Sequence, residues 1–198
     1  MLKELVIASH NSGKISEIKN ILAPYKVKIY SADDLNLPDV EETGQSFAEN
    51  AALKAEVLSS ISGKPCLADD SGLCVDALNG RPGIYSARYA PHRDFNLAIT
   101  KLLQELKASS STDWSAHFSC VIALKIPDNP TRFYEGRVNG IITPNPHGNN
   151  GFGYDPVFIP DGFNKTFAEL TTEEKSAISH RGKALKLFLD NEFNGKNL

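Results

Sequence analysis

The chain's hydrophobic pattern opens with an unbroken apolar run, Leu5-Val6-Ile7-Ala8, which predicts a short strand buried on both faces. Polar Ser9-His10-Asn11-Ser12-Gly13 interrupts it. Ile15, Ile18, Ile21 and Leu22 then recur at helical spacing as far as Pro24, which predicts a helix. Val27 to Tyr30 reads as a second strand, and the polar, acidic segment 31–45 as a long loop. Ser46-Phe47-Ala48-Glu49 matches a capping box. The helix it opens places Phe47, Ala51, Ala55 and Leu58 on one stripe and stops near Gly63 and Pro65. Cys66-Leu67-Ala68 predicts a brief strand.

Further on, Asp94 is placed to cap a helix carrying Leu97, Ile99, Leu102, Leu103 and Leu106. Ala108-Ser109-Ser110-Ser111-Thr112 has the composition of a surface loop. Ala116, Phe118, Cys120, Ile122, Leu124 and Ile126 alternate strictly, the clearest strand signal in the chain. Pro127-Asp128-Asn129-Pro130 turns the chain, and Phe133 to Ile142 reads as the return strand of a hairpin. A loop rich in Asn, Pro and Gly follows from Thr143 to Gly151. Thr171-Thr172-Glu173-Glu174 is a second capping-box candidate, and a last helix carries Leu185, Phe188 and Leu189. No repeat and no long linker divides the sequence. The pattern predicts an α/β fold with a mixed sheet, flanking helices and a hairpin extension.

Composition narrows the function classes. The 198 residues carry a net charge of −3, so no basic field for duplex nucleic acid exists. Three cysteines, Cys66, Cys74 and Cys120, form no Cys-x-x-Cys pair, which argues against a zinc site or disulfide framework and fits a reducing cytoplasm. The opening Met1-Leu2-Lys3-Glu4 lacks a signal-peptide pattern, and no apolar run approaches membrane-spanning length.

Candidate chemistry sits at the breaks in the pattern. In Ala68-Asp69-Asp70-Ser71-Gly72, two adjacent carboxylates follow an apolar residue. Buried without a partner they would cost too much, and Asp and Gly are poor strand formers. The run therefore predicts a strand end whose carboxylates face a cation such as Mg²⁺, with a solvated turn as the plainer reading. Ser9-His10-Asn11-Ser12-Gly13-Lys14, between a strand and a helix, is suited to an anion. It is not a Walker A loop: Ile15 follows the Gly-Lys pair, and Ala8 stands where the first Gly belongs. Glu41-Glu42 precedes the capped helix, from which Lys54 can reach toward the same place. Gly151-Phe152-Gly153-Tyr154-Asp155-Pro156 lets the backbone approach a flat ligand on which Phe152 could stack; a turn with two core aromatics is the competing reading. Lys175-Ser176-Ala177-Ile178-Ser179-His180-Arg181 gathers cations, with a helix start at Ser179 adding its positive end.

Taken in order, Ser-x-Asn-x-x-Lys, Glu-Glu-Thr-Gly, Ala-Asp-Asp-Ser-Gly, Pro-Gly-Ile-Tyr-Ser-Ala-Arg-Tyr, Gly-Phe-Gly-Tyr-Asp-Pro and Ser-His-Arg-Gly make the chain resemble the inosine/xanthosine triphosphate pyrophosphatase family, from Leu5 to Leu189. One departure is Ser9-His10, where many members have Thr-Gly. The resemblance implies a single domain over residues 1–198, its mixed sheet split over two lobes with the site in the cleft between them. It implies hydrolysis of ITP, dITP, XTP and dXTP to the monophosphate and pyrophosphate, which keeps such bases out of DNA and RNA. It also implies Mg²⁺ dependence, a cytoplasmic homodimer, and no nucleic-acid or membrane partner.

The same resemblance assigns roles. Ser9, Asn11 and Lys14 grip the triphosphate within the loop that also holds His10, Ser12 and Gly13, and Lys54 adds a phosphate contact. Glu42 and Asp70 hold the metal, Asp70 also accepting a proton, while Asp69 and Glu41 bind metal through water. Ser71 touches substrate, and Phe152 stacks on the base with Gly153, Tyr154 and Asp155 around it. Lys175, His180 and Arg181 contact the base and the phosphate side. Two alternatives stay open: a septum-associated type of nucleotide pyrophosphatase acting on pyrimidine or modified nucleotides, and a non-catalytic purine nucleotide sensor.

Overall fold

The computed structural model describes residues 2–9 and 12–194, the side chains of Ser12 and Glu17 excepted. Six strands, β1 (Glu4–Ile7), β2 (Lys28–Ser31), β3 (Cys66–Val75), β4 (Ser115–Lys125), β5 (Arg132–Ile142) and β6 (Phe158–Pro160), form one sheet in the order β2-β1-β3-β4-β5-β6. β1 runs parallel to β2 and to β3, with Val6 opposite both Tyr30 and Cys66, whereas β5 and β6 are antiparallel, so the sheet is mixed. Among the described residues five α-helices accompany it: α1 (Ser12–Leu22), α2 (Phe47–Ser62), α3 (Phe95–Ala108), α4 (Thr172–Ile178) and α5 (His180–Leu189). Among the described residues no helix is long and apolar enough to cross a membrane.

The chain divides into two compact units. The first comprises Met1–Asp70, Val121–Glu135 and Ala184–Leu198; the second comprises Ser71–Cys120 and Gly136–Lys183. Strands β3, β4 and β5 each contribute residues to both. In the first unit Val6, Ala8, Ala51, Ala55, Leu58, Cys66 and Ala68 pack into one core. The alanines on α2 carry little bulk, which lets its backbone lie close to the strands. Buried Glu192 accepts hydrogen bonds from Tyr134 Oη at 2.6 Å and Arg132 Nη2 at 2.9 Å, tying the C-terminal segment to the start of β5. In the second unit Leu73, Val75, Ile99, Leu102, Leu106, Phe118, Phe158 and Phe167 form the core.

Several local signals act as the sequence indicates. Asp94 caps α3, its carboxylate accepting from the Asn96 and Leu97 N–H groups. Thr171 and Glu174 form a complete capping box on α4. At α2 only half of the box closes: Ser46 Oγ accepts from the Glu49 N–H at 3.2 Å, but Glu49 takes the Gln45 N–H at 2.8 Å instead of that of Ser46. β4 alternates as far as Cys120 and is then buried on both faces from Val121 to Leu124; it ends at Lys125, before Ile126. Leu97, expected on the apolar stripe of α3, is exposed.

The main correction concerns β3. The expectation that Asp69-Asp70-Ser71-Gly72 would end a strand is wrong: β3 runs through them to Val75. β3 lies between β1 and β4 in the sheet, its register with β1 covering Cys66 and Leu67, and tertiary context overrides the low strand propensity of Asp and Gly beyond them.

Asp94→Ala removes a cap that satisfies two N–H groups. It should cost about 1 kcal/mol and lower the melting temperature by about 2–4 °C in calorimetry.

Candidate active site

In the first unit, β3 carries Asp69 and Asp70 into the interior, where they are 3% and 5% exposed. Helices α1 and α2 answer with cations and an amide. Lys14 Nζ stands 2.9 Å from Asp69 Oδ2. Lys54 Nζ lies 2.6 Å from Glu42 Oε1 and donates to the Asp69 carbonyl at 2.8 Å. Asn50 Nδ2 donates to Asp70 Oδ2 at 3.0 Å. Lys14, Glu42, Lys54, Asp69 and Asp70 are thus brought together, while Glu41 is exposed. Ser9 is half-buried just past β1, and half-buried Gly13 lies in the first turn of α1. The contacts expected of His10, Asn11 and the Ser12 side chain lie outside the described residues.

The electrostatics of this array are uneven. Burial, reinforced by Glu42, pushes the Asp70 carboxyl up to about 6, against the opposing pull of Lys54, Asn50 and Lys14. For Lys54, burial alone would lower the ammonium, but Asp70, Asp69 and Glu42 outweigh it and raise the group above its ordinary value. The acid therefore resists ionising, and the lysine beside it holds its proton.

In the second unit a separate cluster forms around a buried acid–lysine pair. Lys175 Nζ lies 2.6 Å from Asp155 Oδ2, and both side chains are buried. The same carboxylate oxygen accepts the Phe152 N–H at 2.7 Å. Gly151 makes that turn possible: its φ is +74°, and a Cβ there would collide with Asp155 Oδ2. Phe152 itself is 38% exposed, with Lys175 Nζ 4.6 Å and the Arg181 guanidinium 5.7 Å from its ring centroid. Such a ring already sits among cations and keeps surface available for stacking.

Arg181 is buried and donates to Ser71 Oγ at 3.0 Å. His180 stacks on Phe118, ring centroids 4.7 Å apart and 10° from parallel. Both residues open α5, and Ser179 Oγ accepts the Gly182 N–H at 3.1 Å, so Ser179 starts that helix as expected. Ser71, Phe152, Asp155, Lys175 and Arg181 come together; Tyr154 does not join them. Its ring is buried edge-on to Phe95, and its hydroxyl donates to the Ser86 carbonyl at 3.0 Å. Gly153, at φ +67°, lies beside the same Phe95 ring.

Sequence reasoning passed over Asn50 as a site residue. The signal was present in part, since Asn50 and Lys54 are i, i+4 neighbours on one helix face. What it lacked was Asp70, twenty residues away and placed beside Asn50 only by folding. Phe118, which stacks on His180, belongs to the alternating run of β4, a pattern that marks a strand and carries no sign of the neighbouring site.

Residues 5–191 match the model of the Ham1 family. The chain is 50% identical over 187 residues to a dITP/XTP pyrophosphatase of Bacillus licheniformis, covering 93% of this chain and 95% of that protein. It is 47% identical over 188 residues to a dITP/XTP pyrophosphatase of Bacillus subtilis, covering 94% and 95%. Among solved structures, the Ham1 protein of Staphylococcus aureus superposes with a TM-score of 0.89 at 44% identity, over 98% of this chain and 100% of that one.

A carboxyl raised in the folded state gives a definite pH dependence. Relative to the unfolded chain, Asp70 favours folding while both states are protonated, and that contribution is lost as pH rises from its ordinary value of 3.8 through about 6. Asp70→Asn should therefore raise the melting temperature of the metal-free, nucleotide-free protein at pH 7, and the gain should vanish below about pH 4. Thermal melts across that range check it.

Proposed function

Because the chain belongs to the Ham1 family, we propose that it hydrolyses non-standard purine nucleoside triphosphates, among them ITP, dITP, XTP and dXTP, to the monophosphate and pyrophosphate. The observation that carries this reading is the 50% identity, across nearly the whole chain, to a dITP/XTP pyrophosphatase. The two clusters supply the chemistry it needs.

The first cluster is suited to phosphates and a divalent ion. Among the described residues no three His, Cys, Asp or Glu side chains converge into a ready cage. Glu42 and Asp70 nevertheless fit Mg²⁺, which commonly takes one or two protein carboxylates and completes its shell with water and substrate phosphates. Their oxygens are hard donors, and the burial that disfavours a charged Asp70 would be offset by a cation on it. Bound there, Mg²⁺ supplies charge neutralisation and lowers the pKa of a coordinated water. In this reading Lys14 and Lys54 turn part of their charge toward the phosphates, alongside Ser9, Asn11 and the start of α1. In the same reading Asp70 is the carboxylate that accepts the proton of the attacking water. Asp69 keeps Lys14 in place, and no covalent nucleophile is required.

The second cluster is suited to the base. Phe152 stacks on the purine, with Asp155 and Lys175 fixing the loop beneath it. Lys175, His180 and Arg181 offer donors toward a carbonyl at purine position 6, which hypoxanthine and xanthine have and adenine replaces with an amino group. A donor facing a donor leaves both unpaired, which discriminates strongly. Tyr154 and Gly153 shape this loop from below, and Ser71 orients Arg181. We further read the protein as a cytoplasmic homodimer: three cysteines with no Cys-x-x-Cys pair fit a reducing compartment, and the dimer rests on the family resemblance.

Incubation with ITP and Mg²⁺ should release pyrophosphate and IMP; release of orthophosphate would overturn the reading. In a substrate panel ITP and XTP should outrun ATP, UTP and dTTP, whereas a preference for UTP or dTTP would favour the septum-associated type. Asp70→Asn should abolish turnover. Phe152→Ala should raise KM by about 5–150-fold, the worth of one base–aromatic stack of about 1–3 kcal/mol, with kcat less affected.

A further inference from the structure

We propose that Asn50 is a positioning residue for Asp70, holding the reacting carboxylate in register with the loop that carries Glu42. The inference rests on Asp70 being the reacting carboxylate, as in the proposed function.

Asn50 lies on α2 and is fully buried. Both ends of its amide are engaged. Nδ2 donates to Asp70 Oδ2 at 3.0 Å, and Oδ1 accepts the Gly44 N–H at 2.8 Å. The second contact decides the orientation of the first: an N–H donor at Gly44 requires the amide oxygen, which leaves only the NH₂ to face Asp70. A donor fixed on Oδ2 sets the rotation of the Asp70 carboxylate about its Cβ–Cγ bond.

Gly44 is part of the device. A Cβ there would stand 2.7 Å from Asn50 Oδ1 and 2.7 Å from Glu49 Cβ, so the loop comes this close only because residue 44 has no side chain. Lys54, one turn further along α2, repeats the arrangement: it holds Glu42 Oε1 on one side and the Asp69 carbonyl on the other. The helix thus presents two successive rungs, and each joins the 42–44 loop to β3. The Lys54 rung carries charge. The Asn50 rung carries none, so what it gives the site is direction.

Burying an amide in a helix is itself costly unless it is paired, so a purely structural role must be separated from positioning. Two readouts do this. The first is steady-state kinetics with ITP and Mg²⁺, in which Asn50→Ala should lower kcat by about 10–100-fold while KM stays within about threefold. The second is the melting temperature without metal or nucleotide. Asn50→Asp keeps an acceptor for Gly44 but turns a second carboxylate onto Asp70, and should lower Tm by about 4 °C or more. Placed on Asp70→Asn, the same change rebuilds the pair in reverse order, amide donor on 70 and acceptor on 50, and the loss should shrink below about 2 °C. Wild-type kcat in Asn50→Ala, a KM rise as large as its kcat loss, or an equal Tm loss in both backgrounds each overturns the proposal alone. Full turnover by Asp70→Asn overturns the reading of Asp70 and this proposal with it.

Discussion

Two adjacent carboxylates inside the sheet are the constraint on which the rest of the first unit depends. Asp69 and Asp70 sit on β3, a strand with neighbours on both sides, and neither could be buried there alone. α1 must bring Lys14, α2 must bring Asn50 and Lys54, and the loop before α2 must bring Glu42. Small residues on α2 and the missing side chain of Gly44 are what let those groups come close enough. Burying charge in this way seldom adds stability, even when it is well paired. An array of this kind is therefore better understood by what it can bind than by what it holds together.

The second unit solves a similar problem on a smaller scale. Asp155 is buried, and it is matched by the Lys175 ammonium and the Phe152 N–H. The outcome is an aromatic ring held partly exposed by a turn that only glycine at position 151 allows. Arg181 and His180 are set in the first turn of α5 by the Ser179 cap, and each leans on a neighbour, Ser71 for one and Phe118 for the other. Cations beside a ring that stays partly exposed suit a flat, carbonyl-bearing ligand.

Much of this was legible in the sequence wherever the cause is local. The cap at Asp94 and the box at Thr171 and Glu174 act within four residues, and both form as read. The alternation in β4 likewise marks a strand. The passage of β3 through Asp69-Asp70-Ser71-Gly72 was not legible, because its neighbours in the sheet and the groups that match its carboxylates come from distant parts of the chain. Tyr154 carried the same ambiguity: next to Phe152 it looked like a ligand contact, but its place in the core is set by Phe95 and Ser86. Asn50 went unassigned for a related reason, since a polar residue on an apolar helix declares its purpose only when its partner is known.

The central claim is that burial leaves Asp70 reluctant to ionise, so that a cation or a proton stabilises it there. Titration of the carboxyl carbons by ¹³C NMR, in metal-free protein labelled at aspartate and with Asp70→Asn identifying the resonance, tests it directly. The account predicts that Asp70 titrates with a midpoint near pH 6. A midpoint at or below the ordinary aspartate value of 3.8 would mean that Lys54, Lys14 and Asn50 already satisfy the charge, and would contradict it.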